Sequence, residues 1–254
     1  MFGRLRRLLE EGKPAFGSWV TIGNPEVTEI LSLLGFDWLL IDMEHAPIDY
    51  QLLEHMLMPI SGDVTPLVRV PFNNPVYVKR VLDMGVAGVL FPLVSSKAEA
   101  ELAVKSTHYP PKGIRGVGPR RASKYGLKRK EYYEIAENVI VIVQIETVKA
   151  VENFEDIVSV EGVDAFFIGP NDLSFSLGCR SWKEEKVRQT IEKLAETAKS
   201  MGVPGGMYCG NEEALRFALD IGFQFIALGS DVRSLIRGAR EILEYARKYA
   251  EKIG

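Results

Sequence analysis

A few short phrases hold the side chains best suited to chemistry. Ile41-Asp42-Met43-Glu44-His45 ends an apolar run in an imidazole, which gains or loses a proton near neutral pH and so suits a general base. His45 is one of three histidines; His55 falls mid-helix and His108 precedes a Tyr-Pro-Pro turn. The alternative for His45 is a hydrogen-bonded residue on a rim. Val68-Arg69-Val70-Pro71 places an arginine in an apolar run, where an uncompensated charge is costly. Arg69 therefore needs an anion, either a substrate carboxylate or developing oxyanion, or an ion pair with Asp42 or Asp83. In Val143-Gln144-Ile145-Glu146-Thr147, strand alternation puts Gln144 and Glu146 on one side. Ile168-Gly169-Pro170-Asn171-Asp172 ends the next apolar run, so Glu146 and Asp172 can converge. Two such carboxylates repel unless a proton or a cation lies between them. Hard oxygen ligands without cysteine or histidine favour Mg²⁺ or Mn²⁺. Gly169 lets the backbone approach a ligand closely, while Asn171 or Asp172 has the alternative role of capping a short helix. Asp83 sits at the C-terminal end of a helix, where a carboxylate is unfavourable. It either meets a partner such as His45 or lies on the surface.

These residues need a scaffold that brings distant strand ends together. Eight near-continuous apolar runs read as strands buried on both faces: Phe16–Thr21, Trp38–Met43, Leu67–Val70, Val89–Val94, Val139–Glu146, Ala165–Ile168, Gly205–Tyr208 and Phe225–Gly229. Helix-length amphipathic stretches fall between and after them, near 26–34, 49–60, 74–84, 97–106, 149–158, 183–201, 211–221 and 232–251. Gly35, Gly85, Gly202 and Gly222 stand just past four of them, where a left-handed residue ends a helix. Eight βα units over 254 residues predict one α/β domain, 1–254: a (β/α)8 TIM barrel with a short N-terminal and a long C-terminal helix. In such barrels chemistry sits at the C-terminal strand ends. The longest interruption, Tyr109–Glu137, carries Gly113-Ile114-Arg115-Gly116 and Arg120-Arg121; it is read as a functional loop whose arginines meet an anionic substrate, or as a solvated linker.

Composition excludes several classes. A net charge of −3 makes no electrostatic case for nucleic acid. No apolar run reaches the roughly 20 residues of a membrane span, and the start reads as a short amphipathic helix, not a signal peptide. The expectation is a cytoplasmic protein. Two cysteines, Cys179 and Cys209, have neither the number nor the spacing of a disulfide framework or zinc site.

With these residues placed, the sequence resembles the HpcH/HpaI aldolases, metal-dependent class II enzymes that use pyruvate. The matching phrases are Gly35 to His45, Val68 to Pro71, Leu82 to Gly85, Tyr109 to Gly118, Val143 to Thr147 and Gly162 to Ser174. They run in the family's order and spacing across most of the chain. The resemblance implies that Glu146 and Asp172 hold a divalent cation (Mg²⁺, Mn²⁺ or Co²⁺) and that Gln144 helps bind substrate or a water. It implies Arg69 at the enolate oxygen and His45 as the base, with Asp83 raising its basicity. Backbone around Gly169, Pro170, Asn171 and Asp172 would hold the carboxylate. The implied reaction is reversible retro-aldol cleavage of a 4-hydroxy-2-oxo acid into pyruvate and an aldehyde, in a homo-oligomer, a hexamer by resemblance, often with exchanged C-terminal helices. Many members have alanine where this chain has Asn171, which bears on the substrate and leaves the metal ligands intact. The rivals are oxaloacetate decarboxylation or a macrophomate-synthase-like addition on the same scaffold, a non-catalytic metabolite-binding barrel, and a Schiff-base aldolase. The last needs a lysine at an inner strand end, where strand six offers Gly169 to Asp172 and where Lys149, just beyond strand five, belongs to the next helix.

Overall fold

The structure, a computed structural model, describes residues 3–253. Eight parallel strands close into a barrel in chain order: β1 (Ala15–Val20), β2 (Trp38–Asp42), β3 (Thr65–Arg69), β4 (Gly88–Phe91), β5 (Ile140–Ile145), β6 (Ala165–Ile168), β7 (Gly205–Tyr208) and β8 (Phe225–Ser230), with β8 paired to β1. This is the (β/α)8 TIM barrel that the eight apolar runs predict. Around it lie α1 (Gly3–Glu10), α2 (Pro25–Leu33), α3 (Tyr50–Leu57), α4 (Pro75–Met84), α5 (Lys97–Thr107), α6 (Arg129–Ile135), α7 (Val148–Glu152), α8 (Phe154–Val158), α9 (Pro170–Ser176), α10 (Glu185–Met201), α11 (Glu212–Asp220) and α12 (Asp231–Ile253). The expected helix near 149–158 is two short ones meeting at Asn153, and α9 is an extra turn after β6.

Local chemistry sets the helix ends. Asn24-Pro25 and Asn74-Pro75 start α2 and α4 alike: each asparagine Oδ1 accepts the amide two residues on at 2.8 Å, and the proline supplies a φ suited to the first turn. Gly85 closes α4 at φ 95°, where an L side chain would be strained.

Strand parity divides the apolar residues into two sets. Outward residues such as Ile41, Val68, Val143 and Ile168 pack under the helices. Inward residues fill the barrel, where Trp19 meets Phe167 at 5.0 Å between ring centres and Trp38 meets Phe225 at 4.4 Å. Helix α1 closes the N-terminal end of the barrel with fully buried Leu5, and it is tied down by Arg4–Asp37 at 2.7 Å and Arg6–Asp164 at 2.8 Å. Trp38 needs an absent side chain next door: a Cβ on Gly17 would stand 2.0 Å from its ring. Gly17→Ala is therefore expected to lower stability by about 3 kcal/mol, the upper end of overpacking costs, as read by urea unfolding. An unchanged midpoint would mean that the indole relocates freely.

The segment 109–137 differs from its reading. It contains α6 and a 3-10 turn at Ala136–Asn138, and it folds against the C-terminal ends of α4 and α5, at the barrel end opposite the strand C-termini. Ala122 N–H donates to the Asp83 carbonyl at 3.0 Å and Ile114 N–H to that of Lys105 at 2.8 Å. Arg121 donates to the carbonyls of Met84 at 2.8 Å and Leu57 at 3.1 Å, capping two helices with a cation where the dipole favours one. Within one chain Arg115 and Arg121 thus do structural work, far from the barrel mouth.

Candidate active site

Parity delivers the polar residues. On β5, Ile140 and Ile142 point inward, so Gln144 and, just past the strand, Glu146 follow them to the mouth. On β3, inward Leu67 is followed by Arg69, and on β2 inward Leu40 by Asp42. A cavity of about 300 Å³ opens there, lined by His45, Arg69, Gln144, Gly169, Pro170, Asn171 and Asp172, with Trp19, Phe167 and Tyr208 as aromatic walls.

Gly169 is the centre of the arrangement. A Cβ built on it would lie 3.0 Å from Gln144 Nε2, 3.2 Å from Glu146 Oε2 and 3.4 Å from Asp172 Oδ2, so three polar side chains converge on one bare Cα. Glu146 is buried and Asp172 is open to the cavity. Glu146 Oε1 accepts the Leu93 amide at 2.7 Å, and Oε2 accepts from Gln144 Nε2. Burial pushes the Glu146 carboxyl up to about 7, with Asp172 and Glu44 adding repulsion against the lowering effect of the Leu93 and Gln144 donors. Gln144 Oε1 is buried without a hydrogen-bond partner. Two carboxylates beside an orphaned amide oxygen make an oxygen-rich niche suited to a hard cation. Among the described residues no three His, Cys, Asp or Glu side chains form a fuller cage. Two carboxylates with room for water and substrate oxygens is how Mg²⁺ is commonly held.

Arg69 lies beside this pair. Its Nε and Nη2 donate to Asp42 at 2.9 and 2.7 Å, and its Nη1 lies 2.9 Å from Glu44 Oε2 as an ion pair without hydrogen-bond alignment. Of the two ion-pair partners that the sequence offers, Asp42 is the one used. The guanidinium also stacks over Trp19, 5.4 Å from the ring centre, and still faces the cavity. Burial raises the Glu44 carboxyl, against the pull of Arg69. His45 stands at the rim with a side chain 67% exposed, 3.9 Å from Glu44.

Asp83 is placed elsewhere. In the single chain it pairs with buried Arg115 at 2.8 Å, and Arg115 also donates to the Tyr132 hydroxyl at 2.8 Å and lies over the Tyr109 ring. It does not reach His45 within one chain, and it is absent from the cavity lining. Lys149 is exposed on α7, and no lysine lines the cavity. Several contributors have no sequence signal. Leu93 adopts φ 55° to aim its amide at Glu146, a conformation uncommon for a non-glycine residue. Glu44 also holds Arg69, and nothing in its phrase marks it for that contact.

A closed (β/α)8 barrel whose strand ends gather carboxylates, an arginine and a histidine has the build of a barrel enzyme. Residues 15–238 match the model of the HpcH/HpaI aldolase/citrate lyase family, and the chain belongs to that family. It is an aldolase, a lyase of carbon–carbon bonds. A 5-keto-4-deoxy-D-glucarate aldolase of Escherichia coli K12 is 42% identical over 219 residues, 85% of this chain and 86% of the relative. A solved HpcH/HpaI aldolase/citrate lyase family protein from Burkholderia cenocepacia J2315 superposes with TM-score 0.92 at 34% identity, over 96% of this chain and 98% of the other. The citrate synthase SbnG superposes at 0.86 with 27% identity, over 98% and 99%.

Proposed function

We propose that the chain cleaves a 4-hydroxy-2-oxo acid reversibly into pyruvate and an aldehyde at a divalent cation held by Glu146 and Asp172. The observation carrying this reading is the convergence of Glu146, Asp172 and Gln144 on the Cα of Gly169. A divalent cation there supplies Lewis acidity toward the keto oxygen of the substrate. The substrate for which the Escherichia coli relative is named, 5-keto-4-deoxy-D-glucarate, is an acid of this kind.

The chain's own groups account for the rest. His45, exposed at the rim, takes the proton of the C4 hydroxyl, directly or through a water. The C3–C4 bond breaks, its electron pair moves into the C2–C3 bond, and the aldehyde carbonyl forms at C4. Arg69, held rigid by Asp42, faces the enolate oxygen as negative charge develops there, the situation in which a preorganised donor contributes most. The amides of Asn171 and Asp172, in the first turn of α9 and without intrahelical acceptors, receive the carboxylate. Trp19, Phe167 and Tyr208 exclude water from one side. Return of a proton to C3 completes pyruvate. Gln144 orients Glu146. Asp83 is proposed to act on the base only where chains come together, since within one chain it serves Arg115.

Two treatments separate this reading from Schiff-base chemistry. EDTA is expected to abolish turnover, restored by Mg²⁺, Mn²⁺ or Co²⁺, while borohydride with pyruvate leaves the protein mass unchanged. A reduced pyruvyl adduct together with EDTA-insensitive turnover would sink the metal assignment. Oxaloacetate decarboxylation, the rival on the same scaffold, is distinguished by CO₂ release without aldehyde.

Assembly is part of the proposal. Beyond Asp231, every described residue of α12 is exposed, including Leu235, Ile242 and Tyr245, and a groove of about 790 Å³ runs along it. An amphipathic helix of 23 residues with its apolar stripe uncovered fits a homo-oligomer in which α12 packs on a neighbour, as in a hexamer. Light scattering is expected to show a multiple of the 28.4 kDa chain, and a monomer at micromolar concentration would contradict it. The two buried, unbridged cysteines fit a reducing, cytoplasmic setting, which cell fractionation tests.

A further inference from the structure

Arg233 lines the mouth of the active-site cavity from the first turn of α12. Its placement is held from two directions. Buried Asp231 accepts the Thr21 and Ile22 amides at 2.8 and 2.7 Å and the Thr21 hydroxyl at 2.8 Å, fastening the start of α12 to the end of β1. The Arg233 amide lies 3.3 Å from Ser230 Oγ. The guanidinium then crosses the end of β7 over Gly210: a Cβ built there would stand 3.1 Å from the guanidinium carbon and 3.3 Å from the Tyr208 ring. The missing side chain at Gly210 is what leaves this room.

Nothing in the chain's own architecture accounts for a cation there. Arg233 makes no ion pair among the described residues, and a positive charge in the first turn of a helix opposes the helix dipole. The other arginine of the cavity is already engaged, since Arg69 is paired with Asp42 and Glu44. An anion entering the mouth would otherwise approach the acidic side chains of Glu44, Glu146 and Asp172. Arg233 lines both the groove along α12 and the cavity, and on the cavity side its planar fork of donors is suited to a carboxylate.

We propose that Arg233 is a specificity-determining residue that selects an aldehyde carrying its own carboxylate, by binding that carboxylate at the end of the substrate remote from the pyruvate half. The proposal rests on the pyruvate-aldolase reading above. An apolar or hydroxylated neutral aldehyde would fit the same aromatic walls without using the guanidinium.

The test compares succinic semialdehyde with butanal as acceptors for pyruvate; both are four-carbon aldehydes and only the first ends in a carboxylate. In Arg233→Gln the ratio of kcat/KM for succinic semialdehyde over that for butanal is expected to fall about 10- to 100-fold, the value of one charge-assisted hydrogen-bonded contact, and to fall mainly through KM. Arg233→Lys, which keeps the charge and loses the fork, is expected to lie between. A ratio that stays the same, or equal losses with both aldehydes, overturns the assignment. Exchange of the pyruvate methyl protons in D₂O, followed by NMR, needs no aldehyde and is measured on the same preparations. If the wild-type protein exchanges and the ratio is unmoved, Arg233 alone is misassigned. If the wild type does not exchange, the aldolase reading fails and the proposal with it.

Discussion

Arg69→Gln is expected to unfold the protein more easily and to stop the reaction, for separable reasons. The guanidinium is buried and shared between Asp42 and Glu44. Removing it leaves two largely buried carboxylates facing each other, a loss of about 3–5 kcal/mol, or a fall of about 10 °C in Tm for a chain of this size. A second substitution, Asp42→Asn, removes one of the stranded charges and is expected to recover most of the stability. It returns no donor to the enolate oxygen, so kcat stays at the level of the single variant. Thermal unfolding and single-turnover kinetics on the two variants read the two effects. Recovery of kcat along with Tm would reduce Arg69 to a structural ion pair.

Glu146→Gln is expected to cost at least about a thousandfold in kcat, because the proposed cation site would lose one of its two carboxylates and with it several kcal/mol of charge stabilisation. The same residue sets a pH dependence. Its folded-state carboxyl is raised to about 7 from an ordinary 4.5. A raised carboxyl favours the protonated folded state: its contribution to stability is complete below about 4.5 and is lost as pH climbs through about 7. Above that, the ionised Glu146 needs a cation for compensation. The gap in Tm between protein with Mn²⁺ and protein with EDTA should therefore widen from pH 6 to pH 8 and be nearly absent in Glu146→Gln. A gap of constant size across that range would place the cation elsewhere.

The barrel was legible because each strand is apolar on both faces and each ends in a polar phrase, as at Ile41-Asp42 and Ile145-Glu146. Parity carried the inward direction of Gln144 and Glu146 from one dimension into three. What the chain order does not display is pairing between residues distant in sequence. Asp83 and His45 belong to adjacent βα units, yet a buried arginine 32 positions further on captures Asp83. The long segment 109–137 contains enough arginine to suggest substrate binding, but its position after a helix and before a strand commits it to the far end of the barrel. Leu93 was invisible for another reason: its contribution is a backbone amide and a φ of 55°, and neither depends on its side chain. Arg233 lies outside every phrase that marks the family, and only the crossing over Gly210 brings it to the mouth.

Helix α1 seals the barrel floor with Leu5, and the aromatic rings above it fill the interior. The cavity is thus a blind well with one door. Whatever enters second sits above what entered first, and on the way out the order reverses. On the proposed reading, with pyruvate held at Glu146 and Asp172 and the aldehyde nearer the rim, the aldehyde is expected to depart first, and product-inhibition kinetics would show that order.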